Sequence, residues 1–235
     1  MVHANLRIDS GFKGAPNDLV GAFVDHVGQE GTLMMVSQPF RGYAYDYLHL
    51  GKPFDVRRTV SMMGLVPEMF RRRAGTLRSL HPTHPVLVYG KDAEQIIAGH
   101  ESTRYPCGKG TPFEALKERG GKILFFDVSS GANTFFHHVE DSIKDRLPVR
   151  LYDPELFEVE VIDAAGAKQI VETYAFATGN VRNTARLDAE LAQRNLLVRA
   201  RVGNSRMTLV ESRDVENVMV ELIDSGVGLI EPARN

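Results

Sequence analysis

Gly131-Ala132-Asn133-Thr134-Phe135-Phe136-His137-His138-Val139-Glu140, read together with Lys122–Val128 just before it, decides the fold of this chain. Lys122–Val128 carries Ile123, Leu124, Phe125 and Phe126 as an unbroken apolar run, the pattern of a strand buried on both faces. Phe135–Leu147 reads as a helix. The joint between them, Ser129–Thr134, is small and polar, and either Asn133 or Thr134 can cap the helix with a side-chain oxygen. Crevices beyond the carboxyl ends of strands are where α/β sheets bind ligands. His137 then falls in the first helical turn, with Glu140 and Asp141 three and four residues on, within reach of the same face. The positive end of the helix dipole opposes protonation of an imidazole placed there, and a general base must be unprotonated. The plainer alternative is a surface helix with two solvated histidines.

Working outward, the N-terminal part alternates strand and helix. Strand-like residues open the chain, Asp9–Pro16 is a glycine-containing loop, and Asn17–Val27 is amphipathic through Leu19, Val20, Phe23, Val24 and Val27. Gly31–Val36 reads as a second buried strand. Ser37–Thr59 is aromatic, charged and without period, long enough for a lid or binding loop. Val60–Arg73 reads as a helix ending in three arginines, Gly75–Pro85 as a proline-punctuated loop, and Val86–Tyr89 as a short strand. Asp92–Ala98 and Phe113–Arg119 read as helices, the second capped by Thr111 with Pro112 at its first position. After Pro148 the character changes. Phe157–Ile162 with Gln169–Phe176, and Leu196–Val202 with Ser205–Val210, read as antiparallel pairs. Thr184–Arg194 and Asp214–Ser225 read as helices. The expectation is a single α/β domain over residues 1–235. It has a mostly parallel, helix-covered sheet and an antiparallel β-rich C-terminal portion packed on it.

Composition narrows the class. The 235 residues are 43% hydrophobic and 25% charged, with a net charge of −2. That is an ordinary soluble composition with no basic excess for nucleic acid or an anionic membrane. No apolar run approaches the roughly 20 residues that span a bilayer. Cys107 is the single cysteine, so no internal disulfide forms, and the expected location is the cytoplasm.

Several constellations compete for the chemistry. His81, His84, His137, His138 and Cys107 are ligand types, but the Pro-bounded His81-Pro82-Thr83-His84 does not fix a common face as helical zinc motifs do. No metal is expected. Cys107 could act as a nucleophile beside a histidine, yet nothing in Pro106-Cys107-Gly108 lowers its pKa. A histidine base, with glycine-rich helix starts holding a phosphorylated cofactor, draws on the most features together. A non-catalytic binding module remains open beside it.

Five motifs then occur in one order: Phe54-Asp55-Val56-Arg57-Arg58-Thr59; Gly64-Leu65-Val66-Pro67-Glu68-Met69-Phe70-Arg71; Arg78-Ser79-Leu80-His81-Pro82-Thr83-His84; Pro106-Cys107-Gly108-Lys109-Gly110-Thr111-Pro112-Phe113; and Asn133–Glu140. With Gly31–Met35 and Arg201-Val202-Gly203, they resemble the aminoglycoside 3-N-acetyltransferase (antibiotic N-acetyltransferase) family over nearly the whole chain. The resemblance implies a three-layer α/β/α sandwich distinct from the GNAT fold. It also implies transfer of acetyl from acetyl-CoA to an amine of an aminoglycoside or related amino sugar. His137 matches the catalytic histidine of the family and Glu140 the glutamate that follows it. By the same similarity His3, Asn5, Ser79, His81, Thr83, His84, Gly108, Thr111 and Thr134 are expected at the cofactor. Asp55 and Asp141 are expected at the substrate. The implied partners are the small-molecule amine and CoA, with a homodimer as the candidate assembly.

The sequence departs from the family pattern at several points. It opens directly on the first strand, where relatives carry a preceding segment. It also reads His3-Ala4-Asn5-Leu6 where a His-Ser-Ser-Leu-like motif is expected. Pro85 stands where serine is common, Met62 where an aromatic is common, and Asn183 where an acidic residue is frequent. Two alternative readings follow: an acyltransferase acting on a non-antibiotic biosynthetic amine, and a catalytically degenerate CoA- or sugar-binding member.

Overall fold

The structure is a computed structural model and describes residues 1–232. The chain order is β1 (Val2–Ala4), α1 (Pro16–Val27), β2 (Thr32–Val36), α2 (Ala44–Leu48), β3 (Phe54–Asp55), α3 (Leu65–Arg72), β4 (Leu77–Arg78) and β5 (Val86–Gly90). There follow α4 (Ala93–Ile97), α5 (Pro112–Glu118), β6 (Lys122–Phe126), α6 (Phe135–Ser142), β7 (Tyr152–Ile162) and β8 (Lys168–Phe176). The last elements are β9 (Asn180–Arg182), α7 (Thr184–Gln193), β10 (Val198–Val202), β11 (Ser205–Glu211), α8 (Ser212–Asp224) and β12 (Ile230–Pro232).

Four sheets form, in the orders β1-β6-β11-β10, β2-β5-β4, β3-β7-β8 and β12-β9. The apolar run of β6 lies between β1, parallel with Val2 opposite Leu124, and β11, antiparallel with Leu209 opposite Leu124. Ile123 and Phe125 of β6 join Phe135, Phe136 and Val139 of α6 and Met219 of α8 in the largest core cluster. A second cluster is built where α1, with Leu19, Val20 and Val24, meets Val66 and Phe70 of α3 over Met35 of β2. The chain turns into α1 on Pro16, with the Asp18 carboxylate accepting the Ala15 N–H at 2.7 Å.

The expected mostly parallel sheet does not form. Among the described residues, only the β1–β6 and β3–β7 ladders are parallel; six others are antiparallel. The reason lies in two insertions. The C-terminal β10–β11 hairpin docks beside β6, so the late strands share a sheet with the first strand. The excursion between β2 and β5 brings β5 back antiparallel, with Val36 opposite Val86. The C-terminal portion therefore extends the first sheet on the free side of β6. Two boundaries also move. The helix expected over Val60–Arg73 begins only at Leu65, after Gly64 at φ 109°, and the one expected over Phe135–Leu147 ends at Ser142 before a short 3-10 turn. The loop Ser37–Thr59 contains α2 and β3.

Candidate active site

The helix α6 positions the site through its own packing. Every residue from Phe135 to Asp141 is buried except His137, whose side chain keeps 22% of its surface exposed. Phe135, Phe136 and Val139 fix the rotation of the helix by filling the core. The Thr134 side chain makes no cap bond; the Asn133 side-chain oxygen instead accepts the Phe135 N–H at 3.2 Å.

His137 Nδ1 lies 2.6 Å from Glu140 Oε2, and the other oxygen of Glu140 accepts from Arg182 Nε at 2.7 Å. A carboxylate can only accept, so Nδ1 carries the proton, and Nε2 is the nitrogen left free of that bond. Glu140 is fully buried, and a buried carboxylate requires a charged or hydrogen-bonded partner. Arg182 supplies both. The ring of Phe176 holds the group flat, 4.5 Å from the His137 ring and 5.8 Å from the Arg182 guanidinium. Sequence reasoning missed Arg182. It sits on β9, held by the pairing of Arg182 with Ile230 of β12, and local pattern gives no sign of that pairing.

His137 forms part of the wall of a cavity of about 220 Å³, with His3 and Ala4 at the end of β1, Gln38, Met63 and Thr134. Burial pushes the pKa of His3 down to about 3, so its imidazole is neutral, and its buried Nε2 has no protein partner. His3 stacks on Phe125 at 5.5 Å. Of the expected cofactor residues, His3 and Thr134 meet His137 at this cavity. A second cavity of about 570 Å³, between α7 and the β10–β11 hairpin, shares Val128 and Asn133 with the first. Asp188 on its wall accepts the Ser130 hydroxyl at 2.5 Å.

The other expected cofactor residues take up packing positions. Asn5 is exposed beyond the strand, its N–H bonded to Phe126 O at 2.9 Å. Ser79, His81, Thr83 and His84 are buried in one network. The His81 Nδ1 accepts the N–H groups of Thr83 and His84, each at 3.3 Å, and Thr83 Oγ1 lies 3.0 Å from His84 Nδ1. Ser79 Oγ accepts the Val86 N–H and lies 2.8 Å from His100 Nδ1. Burial, ahead of repulsion between neighbouring rings, pushes His81 and His84 well below the usual imidazole pKa. The His84 ring meets the His137 ring edge-on with centroids 6.2 Å apart, so the network backs the His137 ring and does not line the 220 Å³ cavity. Thr111 is buried with its hydroxyl on Gly108 O at 2.7 Å, and Gly108 packs against Asp141.

The expected substrate carboxylates are also engaged by the protein. Asp141 is buried and accepts the Tyr152 hydroxyl at 2.8 Å, and it is not among the residues that line the His137 cavity. Asp55 accepts the N–H groups of Arg57 and Arg58 at 2.8 and 2.9 Å, closing the turn after β3. His138 bonds Cys107 O through Nδ1 at 2.8 Å and stays in the interior. Cys107 is wholly buried, and burial, then the Asp141 and Glu140 charges, push its thiol pKa well up, which removes the thiol-nucleophile alternative. Among the described residues no group of three or more His, Cys, Asp and Glu is placed to hold a metal ion, and no helix is long and apolar enough to cross a membrane.

The mixed fold that carries this site has solved relatives. The structure described as AAC-IIIb in binary complex with CoASH matches with a TM-score of 0.79 and 25% identity, covering 98% of this chain and 91% of that one. The apoenzyme of aminoglycoside acetyltransferase AAC(3)-IVa shares the fold, at TM-score 0.76 and 24% identity over 98% of this chain and 83% of its own. The family model for aminoglycoside 3-N-acetyltransferases matches residues 1–224, and the chain belongs to that family. Among curated relatives it is 29% identical to aminoglycoside N(3)-acetyltransferase VII of Streptomyces paromomycinus, over 60% of this chain and 53% of that protein. It is 28% identical to aminoglycoside N(3)-acetyltransferase III of Acinetobacter baumannii, with the same coverage. The matches thus span about half the length of these curated relatives.

Proposed function

We propose that this protein transfers acetyl from acetyl-CoA to an amine of an aminoglycoside or related amino sugar, with His137 as general base. The family match, and the CoASH held by the AAC-IIIb relative, support the class of reaction. One observation carries the residue assignment: the 2.6 Å contact of His137 Nδ1 with a buried carboxylate, in the wall of a cavity. With Nδ1–H committed to Glu140, Nε2 is the proton acceptor. The substrate ammonium gives its first proton to solvent, and the neutral amine nitrogen attacks the thioester carbonyl to form a C–N bond. Nε2 takes the second proton, from the nitrogen that has become cationic by this attack. The tetrahedral intermediate then breaks its C–S bond, and the imidazolium returns the proton to the departing CoA sulfur, giving the amide and the free thiol. Glu140 stabilises the imidazolium by charge, and Arg182 pairs with its other oxygen and keeps it aimed. His3 offers an unpaired neutral ring nitrogen, and Thr134 a hydroxyl, to the acyl end. The same reading includes the three-layer α/β/α arrangement distinct from GNAT.

A binding-only reading is favoured by one observation: Ala4 lines the cavity and brings no hydroxyl where the resemblance leads one to expect it. Thiol release from acetyl-CoA, followed across a panel of aminoglycosides and simple amino sugars, decides between the two. The transferase reading expects amine-dependent release in the wild type and none in His137→Ala. Release that survives in His137→Ala removes the general base from the reading. CoA binding without release by the wild type selects the binding-only protein.

A further inference from the structure

A third cavity, of about 710 Å³, is lined by five arginines, Arg57, Arg58, Arg71, Arg72 and Arg78. The whole chain carries a net charge of −2, so this concentration of positive charge is local. Two carboxylates answer it. Glu68 receives Arg71 through both oxygens, at 2.7 and 2.8 Å, and Arg72 at 2.7 Å; Asp55 lies 3.8 Å from Arg58. Five guanidinium groups against two carboxylates leave about three positive charges unmatched. Arg78 is the innermost, with 8% of its surface exposed. Its terminal nitrogens reach the carbonyls of Thr59 and Ser37, both at 2.6 Å, while its buried Nε has no partner. Burial, then repulsion from Arg71, pushes its pKa down to about 9, so it stays charged at neutrality in a setting that disfavours the charge. Leu77 and Ile97 add an apolar wall, and the volume far exceeds that of a lone oxyanion.

We propose that this arginine cavity binds the phosphate groups of a nucleotide. Planar guanidinium forks pair with phosphate oxygens, and the apolar wall suits a base or ribose. The position connects the cavity to the active site. Pro67 near the start of α3 lines the His137 cavity, and Arg71 and Arg72 at its end line this one. Four helical residues span about 6 Å along the axis. Arg78 binds the carbonyl of Ser37, whose neighbours Val36 and Gln38 line the His137 cavity. A single cofactor could therefore place a thioester at one cavity and phosphates at the other. The cavity carries the inference by itself; only the choice of coenzyme A as the phosphate source rests on the acetyl-transfer reading, and a free nucleotide is the other source.

The test uses calorimetric titration of inorganic pyrophosphate and of CoA into wild type, Arg57→Gln/Arg58→Gln and Arg199→Gln/Arg201→Gln. Arg57 and Arg58 are exposed, so the first pair preserves the core, and the second removes equal charge from the cavity beside α7. The expected result is pyrophosphate affinity reduced about tenfold by the first pair and unchanged by the second. CoA weakened in parallel by the first pair identifies CoA as the source. Pyrophosphate weakened by the first pair, with CoA unaffected or unable to bind, keeps the phosphate site and assigns it to a free nucleotide; CoA that fails to bind also removes the transferase reading. Neither ligand responding to Arg57→Gln/Arg58→Gln overturns the proposal.

Discussion

His137 Nδ1 and Glu140 Oε2 are 2.6 Å apart, one helical turn separated, with the carboxylate fully buried and the imidazole at the cavity wall. The pair fixes which ring nitrogen is free. His137→Ala is expected to lower acetyl transfer about 10²- to 10⁴-fold with CoA binding retained. Glu140→Gln keeps the shape, loses the charge, and is expected to lower kcat while leaving the KM for acetyl-CoA near the wild-type value. His138, bonded to Cys107 O, is the internal control: His138→Gln is expected to keep kcat. Steady-state kinetics on refolding-competent variants checks all three.

Arg182 gives the second prediction. Its Nε donates to Glu140 Oε1 at 2.7 Å, so Arg182→Gln strands a buried charge. The expected loss is about 3 kcal/mol in urea unfolding, with kcat reduced alongside. Arg182→Lys restores part of the kcat. The double variant Arg182→Gln/Glu140→Gln is expected to be more stable than Arg182→Gln alone, because no charge is left unpaired. Additive losses in that cycle would show that the two residues act separately.

Gly108 gives a prediction that separates packing from cofactor binding. A Cβ there would lie 2.5 Å from Asp141 Oδ1 and 3.1 Å from Tyr105 Cβ. Gly108→Ala is expected to cost about 1–3 kcal/mol in thermal unfolding, with the KM for acetyl-CoA unchanged. A raised KM at unchanged melting temperature would place Gly108 at the cofactor.

Glu68 makes stability depend on acid. Burial acts upward on its pKa, but hydrogen bonds from Arg71, the Ser61 N–H and Arg72 outweigh it and hold the carboxyl down at about 2. A group depressed in the folded state stabilises above its unfolded pKa of 4.5 and loses that contribution as pH falls toward about 2. Glu68→Gln is expected to be less stable than wild type at pH 7, with the gap closing between about pH 4.5 and pH 2. A gap independent of pH would assign the loss to packing.

Much of the local structure was legible. The apolar run Ile123–Phe126, the polar joint and the helix after it gave β6 and α6, because hydrophobic periodicity is a property of neighbours in sequence. The His137–Glu140 contact was legible for the same reason: three residues on a helix are close whatever the rest does. Sheet direction was not legible. Both parallel and antiparallel strands bury apolar runs, and the β10–β11 hairpin found its place only by docking beside β6. Ser79, His81, Thr83 and His84 looked like ligand-facing polar residues in a loop. In the fold they satisfy one another and the backbone behind the His137 ring.

The sequence by itself determined a mixed α/β protein, the family, and a histidine with a carboxylate three residues on. Only the tertiary structure decided that Arg182, forty-two residues from Glu140, completes the pair, and that Asp141 is taken up by Tyr152. The physical reason is range. Helical spacing is set by bonds within a few residues. A buried charge, by contrast, must be matched by whatever the packing of distant strands delivers to it.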